Sequence, residues 1–154
     1  MVLFASAMLS FGYQDQLVPD VVVSSTEGVK MGFRDGLKPG KTNVVVVWKG
    51  CCTDGLTLLE ELNELIGDDT TSLALVAVSC DNSRNSRKVA GQVRATGYEG
   101  WILLDENQDL SRALGLQVFP TVMMVSSNRI VWRASGYLPG MIDEIEKQIR
   151  AHGL

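Results

Sequence analysis

The sequence is poor in the residues that most often carry metal or acid–base chemistry. Histidine occurs once, as His152 near the C-terminus, which leaves little support for a zinc site or a cysteine–histidine pair. Cysteine occurs three times, at Cys51, Cys52 and Cys80. That is too few and too oddly spaced for a disulfide framework, so any sulfur chemistry is local. No metal and no cofactor are expected. No apolar run approaches the ~18 residues of a membrane-spanning helix. A basic surplus is missing as well: 14 Lys and Arg stand against 18 Asp and Glu, a net charge of −4, which gives no footprint for nucleic acid. Repeats, low-complexity tracts and linkers are absent. A chain of 154 residues without them reads as one domain, long enough to bury a core without metals or crosslinks.

What is present is a regular alternation of short apolar runs. Val21-Val22-Val23 enters the turn Ser24 to Gly28 and reads as a short strand. Val44-Val45-Val46-Val47-Trp48, bounded by the turn Lys38-Pro39-Gly40-Lys41, reads as a central strand buried on both faces. Leu58, Leu59, Leu62, Leu65 and Ile66 recur at helical spacing over Leu56 to Ile66, with Gly67 as the stop. Leu73 to Val78 predicts a second buried strand, Ser83 to Thr96 a helix, Trp101 to Leu104 a short strand, and Asp109 to Leu114 a short helix ended by Gly115. Thr121 to Val125 and Arg129 to Arg133, joined by Ser126-Ser127-Asn128, predict a β-hairpin. Met141 to Ala151 predicts a closing helix with Ile142, Ile145 and Ile149 on one stripe. The order implies an α/β domain with a parallel core and an antiparallel end.

The N-terminal stretch stands apart. Val2 to Leu9 is apolar, and Ala5-Ser6-Ala7 has the small-x-small form of an export cleavage site, although a positively charged start is missing and the stretch is short. It reads either as the remnant of an export signal or as a strand or helix packed on the domain. A remnant implies an extracytoplasmic location, in the periplasm or cell envelope; otherwise the protein is cytoplasmic. The domain division expected is an N-terminal extension over 1–17 and one globular domain over 18–154.

This element order, together with local motifs, resembles the thioredoxin fold, and within it the TlpA/ResA-like branch of exported thiol–disulfide proteins. The resemblance spans about Val18 to Ile149. Pro19-Asp20 resembles the family's opening Pro-Asp. Val44 to Cys52 resembles the run from central strand into redox loop. Glu61-Leu62-Asn63-Glu64-Leu65 follows without a gap, and Leu104-Asp105 through Gly115-Leu116 resembles a further family motif. Val118-Phe119-Pro120-Thr121 resembles the cis-proline loop, and Arg129 to Trp132 with Gly136-Tyr137 the final hairpin. The fold implied is a central mixed β-sheet flanked by helices, and the activity implied is thiol–disulfide exchange with protein or small-molecule thiols and disulfides.

Aligned without gaps, the redox loop departs from the family pattern. Cys52 takes the attacking position, Cys51 replaces a tryptophan, Thr53-Asp54 fill the variable pair, and Gly55 replaces the resolving cysteine. Val46 stands where many relatives carry a buried aspartate, and Leu58 where ResA-like proteins often carry a glutamate. Cys52 is expected at the amino end of the following helix, where unpaired N–H groups and the dipole favour a thiolate. Asp54 either opposes this by its charge or caps the helix. Exchange also needs a second thiol to release the mixed disulfide. Cys51 is strained for that task, since neighbouring Cα atoms lie about 3.8 Å apart. Cys80, at the end of a neighbouring parallel strand, is the better internal candidate, and otherwise a small buried residue.

The candidate catalytic residues are therefore Cys52, Cys80 and Cys51. The resemblance implies substrate contacts at Trp48, Thr53, Asp54, Gly55, Phe119 and Pro120, with Phe119–Pro120 expected to be cis. Trp48, Trp101 and Trp132 otherwise read as core or hairpin packing, and Glu60, Glu61 and Glu64 as a solvated helix face. Two functions fit: a thiol–disulfide oxidoreductase resolved by Cys80 or an external thiol, or a redox-silent module that binds peptides or partner proteins near Pro120.

Overall fold

Five apolar residues in a row cannot alternate between core and solvent, so a strand built on Val44 to Trp48 has to be covered on both sides. In the computed structural model, which describes residues 16–50, 52–67 and 71–152, they belong to β4, Thr42–Trp48, whose residues are all buried. The other strands, in chain order, are β1 (Gln16–Leu17), β2 (Val22–Ser25), β3 (Lys30–Gly32), β5 (Leu73–Ser79), β6 (Ile102–Leu104), β7 (Thr121–Ser126) and β8 (Arg129–Ser135). They form one sheet in the order β1-β8-β7-β4-β5-β6-β2-β3. β4, β5 and β6 run parallel, with Trp48 opposite Ser79 and Ser79 opposite Leu104. β7 lies antiparallel to β4, with Val47 opposite Thr121, and pairs with β8 through a hairpin. Ser127 and Asn128 both take positive φ there, at 51° and 62°, as the central pair of a type I′ turn requires.

The pleat sorts the core into two layers. Val44, Val46 and Trp48 join a cluster with Leu58, Leu59 and Leu62 of α1 (Asp54–Ile66), Val89 and Val93 of α2 (Ser86–Ala95), and Ile145 and Ile149 of α4 (Met141–His152). Val45 and Val47 join the opposite cluster with Val76, Val78 and Cys80, where Leu110 and Leu114 lie in and just beyond α3 (Asp109–Ala113). Successive side chains of a strand point to opposite faces, so one run of valines feeds both layers. This is a thioredoxin-like α/β fold with a mixed sheet flanked by helices.

The expected elements are present with small shifts. The helix expected over Ser83 to Thr96 starts as a 3-10 turn, Ser83–Asn85, before α2. Gly67 ends α1 with φ 54° and its N–H bonded to Asn63 O. β1, β3 and a 3-10 turn at Phe33–Gly36 were not foreseen, because two to four residues carry no readable period. The first fifteen residues, and with them the export-signal reading, lie outside the described residues. Gln16 and Leu17, at the end of the expected extension, pair with Ile130 and Arg129. Trp48 and Trp132 are buried as packing residues, whereas Trp101 is half exposed, with Lys38 Nζ 5.4 Å from its ring centroid.

Candidate active site

A parallel pair of strands delivers both of its following loops to the same end of the sheet. Cys52 follows β4 and Cys80 follows β5, and the register is held past the strand ends by Cys80 N–H donating to Trp48 O at 2.8 Å. Cys52 is exposed. Its N–H donates to Lys49 O at 3.1 Å, which tightens the chain into a turn just before α1. Thr53 is the N-cap of α1, and its side chain makes no capping hydrogen bond. Asp54 is the first helical residue, and the cap position open to it in the sequence is taken by Thr53. Cys51 lies outside the described residues.

Gly55 is buried in the first turn of α1, directly against Trp48. A Cβ at Gly55 would run into Trp48 Cβ and stand 2.7 Å from Trp48 Cγ, closer than real side chains come. The Trp48 side chain thus fills the space a side chain at 55 would need, and the helix lies down on it. Among the described residues, Trp48 Nε1 is the buried side-chain donor without a hydrogen-bond partner. Its placement is set by shape, not by polar pairing.

Cys80 faces the other layer. It is 7% exposed, and its Sγ lies 3.1 Å from Ser111 Oγ. Ser111 in turn donates from Oγ to Asp105 Oδ2 at 2.9 Å and from its N–H at 3.0 Å, while Leu110 N–H donates to Asp105 Oδ1 at 3.0 Å. Asp105 is fully buried and satisfied by the amino end of α3, where a carboxylate meets N–H groups with no partner inside the helix. Burial pushes the Cys80 thiol up from 9.0 to about 11, with the Asp105 charge adding to the rise and the Ser111 contact opposing it. A thiol so placed is a poor source of thiolate.

The Phe119–Pro120 peptide bond is cis, and Pro120 precedes the residue paired with Val47. Lys49 Nζ lies 4.7 Å from the centroid of Phe119, so the loop after β4 and the proline loop touch. Thr53, Asp54 and Phe119 therefore share one end of the sheet with Cys52, whereas Trp48, Gly55 and Pro120 are buried beneath it. Pro120 O accepts from Gly136 N–H at 2.7 Å, tying the start of β7 to the end of β8.

The family model for Redoxin matches residues 14–149. The chain belongs to the Redoxin family. This redoxin is similar to an uncharacterized thioredoxin-like protein from Porphyromonas gingivalis, with 30% identity and a TM-score of 0.77, over 92% of this chain and 94% of that one. The thioredoxin domain of a thiol-disulfide oxidoreductase from Bacteroides vulgatus is 16% identical with a TM-score of 0.72, over 92% and 98%. The exposed lipoprotein thioredoxin Etrx1 from Streptococcus pneumoniae is 16% identical with a TM-score of 0.62, over 86% and 98%. No curated protein matches the chain in sequence.

Several residues around the candidate site carried no signal of their own in the sequence. Asp81 packs against Gly50: a Cβ there would lie 2.8 Å from Asp81 Oδ1 and 2.9 Å from its Cγ. The carboxylate is held by Ser79 Oγ, which donates to Oδ2 at 2.5 Å and accepts from Asp81 N–H at 3.1 Å. Glu61 does more than lie on a solvated helix face, since its Oε1 accepts from the Tyr137 hydroxyl. That hydrogen bond pushes the Tyr137 hydroxyl pKa up, aided by partial desolvation and by the charges of Glu61 and Asp54. Asp105 was visible only as part of a family motif, and Lys49 only within the run from Val44 to Cys52.

Proposed function

We propose that this protein is a TlpA/ResA-like thiol–disulfide oxidoreductase that works through Cys52 alone, with an external small thiol as the resolving partner. The observation that carries the reading is the pairing of an exposed Cys52 before α1 with a buried, high-pKa Cys80 in the opposite layer. In the first step the Cys52 thiolate attacks one sulfur of a substrate disulfide. The S–S bond breaks, a mixed disulfide forms, and the departing substrate thiolate takes up a proton. An external thiolate then attacks the Cys52 sulfur and releases the second substrate thiol. A second external thiol frees Cys52 and leaves as the disulfide of the pair. Overall the substrate disulfide is reduced and two external thiols are oxidised to one disulfide.

Trp48 and Gly55 support the first turn of α1 in this reading, Thr53 and Asp54 border the thiol, and Phe119 and Pro120 form the opposing wall. Cys80 serves as packing. Membership of the Redoxin family and the fold shared with the Bacteroides vulgatus oxidoreductase favour the chemistry. The fold shared with an exposed lipoprotein and the sequence of Val2 to Leu9 favour a cell-envelope location. A second reading, a redox-silent module binding polypeptides beside Pro120, draws on the filled space at Gly55. Reduction of insulin with a small thiol as donor separates the two: wild type and Cys80→Ser should turn over alike and Cys52→Ser should fall to background. Background rates for all three would overturn the exchange reading.

A further inference from the structure

Beyond the thiol itself, one surface is contiguous with the site and differs from it in character. Gly136 N–H bonds to Pro120 O, and the next residue, Tyr137, donates to Glu61 on α1. The first two turns of α1, the proline loop and the segment 137–143 are thus joined side by side, beginning next to Cys52. Val118 and Leu138 are 53% and 66% exposed and stand on either side of Gly136. With φ +91°, Gly136 leaves the floor between them bare: a Cβ there would be 3.8 Å from Val118 Cγ1 and 4.0 Å from Leu138 Cγ. Past Leu138 the surface opens into a groove of about 440 Å³, walled by Tyr137, Pro139 and Ile142. Its charged lining residues are Glu61 and Asp143, and among the described residues no lysine or arginine lines it. Lys49, beside the proline loop, lies over the face of Phe119.

We infer that this groove is a docking subsite for substrate polypeptides, and that it selects an extended segment carrying apolar side chains and at least one lysine or arginine. The inference rests on the exchange reading for Cys52. Two exposed apolar side chains astride a bare glycine give an adjoining apolar segment a place to bury area. Carboxylates on both walls without a balancing cation favour a positive side chain and repel a negative one. The aliphatic stem of a lysine or arginine suits such a groove, since it packs on Leu138 and Ile142 while its head meets Glu61 or Asp143. Acidic segments would meet like charge, so the groove discriminates as well as attracts.

The test is direct binding, read separately from exchange. A dye-labelled decapeptide with a central serine in place of cysteine, flanked by leucines and two lysines, is titrated by fluorescence anisotropy against the same peptide with glutamates for lysines. Wild-type protein should bind the lysine peptide at least about tenfold more tightly at low salt, with the ratio shrinking as salt screens the charges. The Glu61→Gln/Asp143→Asn double variant should bring the ratio to within about twofold of one. Equal binding of the two peptides by wild type, or a ratio unmoved in the double variant, overturns the subsite. Exchange of wild-type protein with hydroxyethyl disulfide, a small neutral probe, reports on Cys52 alone. Loss of that exchange with the binding ratio intact defeats the exchange reading and keeps the docking surface; the reverse pattern defeats the docking surface only.

Discussion

Cys52 and Cys80 leave the same end of the same pair of parallel strands, yet they are chemically opposite. Cys52 sits in solvent on a turn leading into a 13-residue helix. Cys80 is one step past a strand whose alternation drives its side chain into the layer of α3, against a buried hydroxyl and carboxylate. The difference owes nothing to the cysteines themselves. It follows from which face of the sheet each chain position meets, and from what is packed there. A second sulfur nearby in topology is therefore not a resolving thiol until its face and its protonation are known.

The largest effect should come from dismantling the Cys80 environment. Asp105→Ala strands the N–H groups of Leu110 and Ser111 in the core, and we expect a loss of about 3 kcal/mol or more in urea unfolding. A loss below about 1 kcal/mol would mean that the buried network does not hold α3. Next, the two thiols should separate in reactivity. A pKa near 11 leaves about 100-fold less thiolate at neutral pH than an ordinary thiol, and burial adds to the gap. Iodoacetamide labelling followed by mass spectrometry should thus modify Cys52 at least 100-fold faster than Cys80; matched rates would erase the comparison.

The same neutral thiol links stability to alkaline pH. Its pKa is higher folded than unfolded, so its contribution is complete below about pH 9 and is lost as pH rises towards 11. The loss should be about 2–3 kcal/mol, and it should vanish from the pH profile of Cys80→Ala. Tyr98, raised by burial to about 12, carries a further decline above pH 10 in both proteins. Comparable or slightly smaller is Gly55→Ala. Its new methyl group meets Trp48, and overpacking of this kind costs about 1–3 kcal/mol. A neutral or stabilising result in thermal unfolding would show that α1 can move off Trp48, which would reopen position 55 to a resolving cysteine. The smallest effect belongs to the exposed side. Lys49→Met should cost under about 1 kcal/mol, the range of an exposed cation over a ring, as measured by urea unfolding.

Most of the fold was legible because it depends on local pattern. The all-apolar run at Val44 to Trp48, the leucine spacing of α1 and the Ser127-Asn128 turn each carry their own period or backbone demand. The candidate site was legible only in its centre, at Cys52, Gly55 and Pro120, where a loop motif marks it. Asp81, Tyr137 and Lys49 lie in loops with no period, and the contacts of Glu61 with Tyr137, Ser111 with Cys80, Lys49 with Phe119 and Asp81 with Gly50 join separate elements. Glu61 reads as solvated on its own helix, because Tyr137 is 76 positions away.

The sequence by itself determined most of the strand and helix order, and that position 55 is glycine. The element order follows from periods of two and 3.6, which act over a few residues. Only the tertiary structure decided what position 55 has become and what Cys80 can do. Trp48 fills the space beside Gly55, and Asp105 with Ser111 encloses the thiol of Cys80. Both depend on side chains brought together by the packing of helices onto opposite faces of one sheet, and packing is set by three-dimensional neighbours that the chain order does not record.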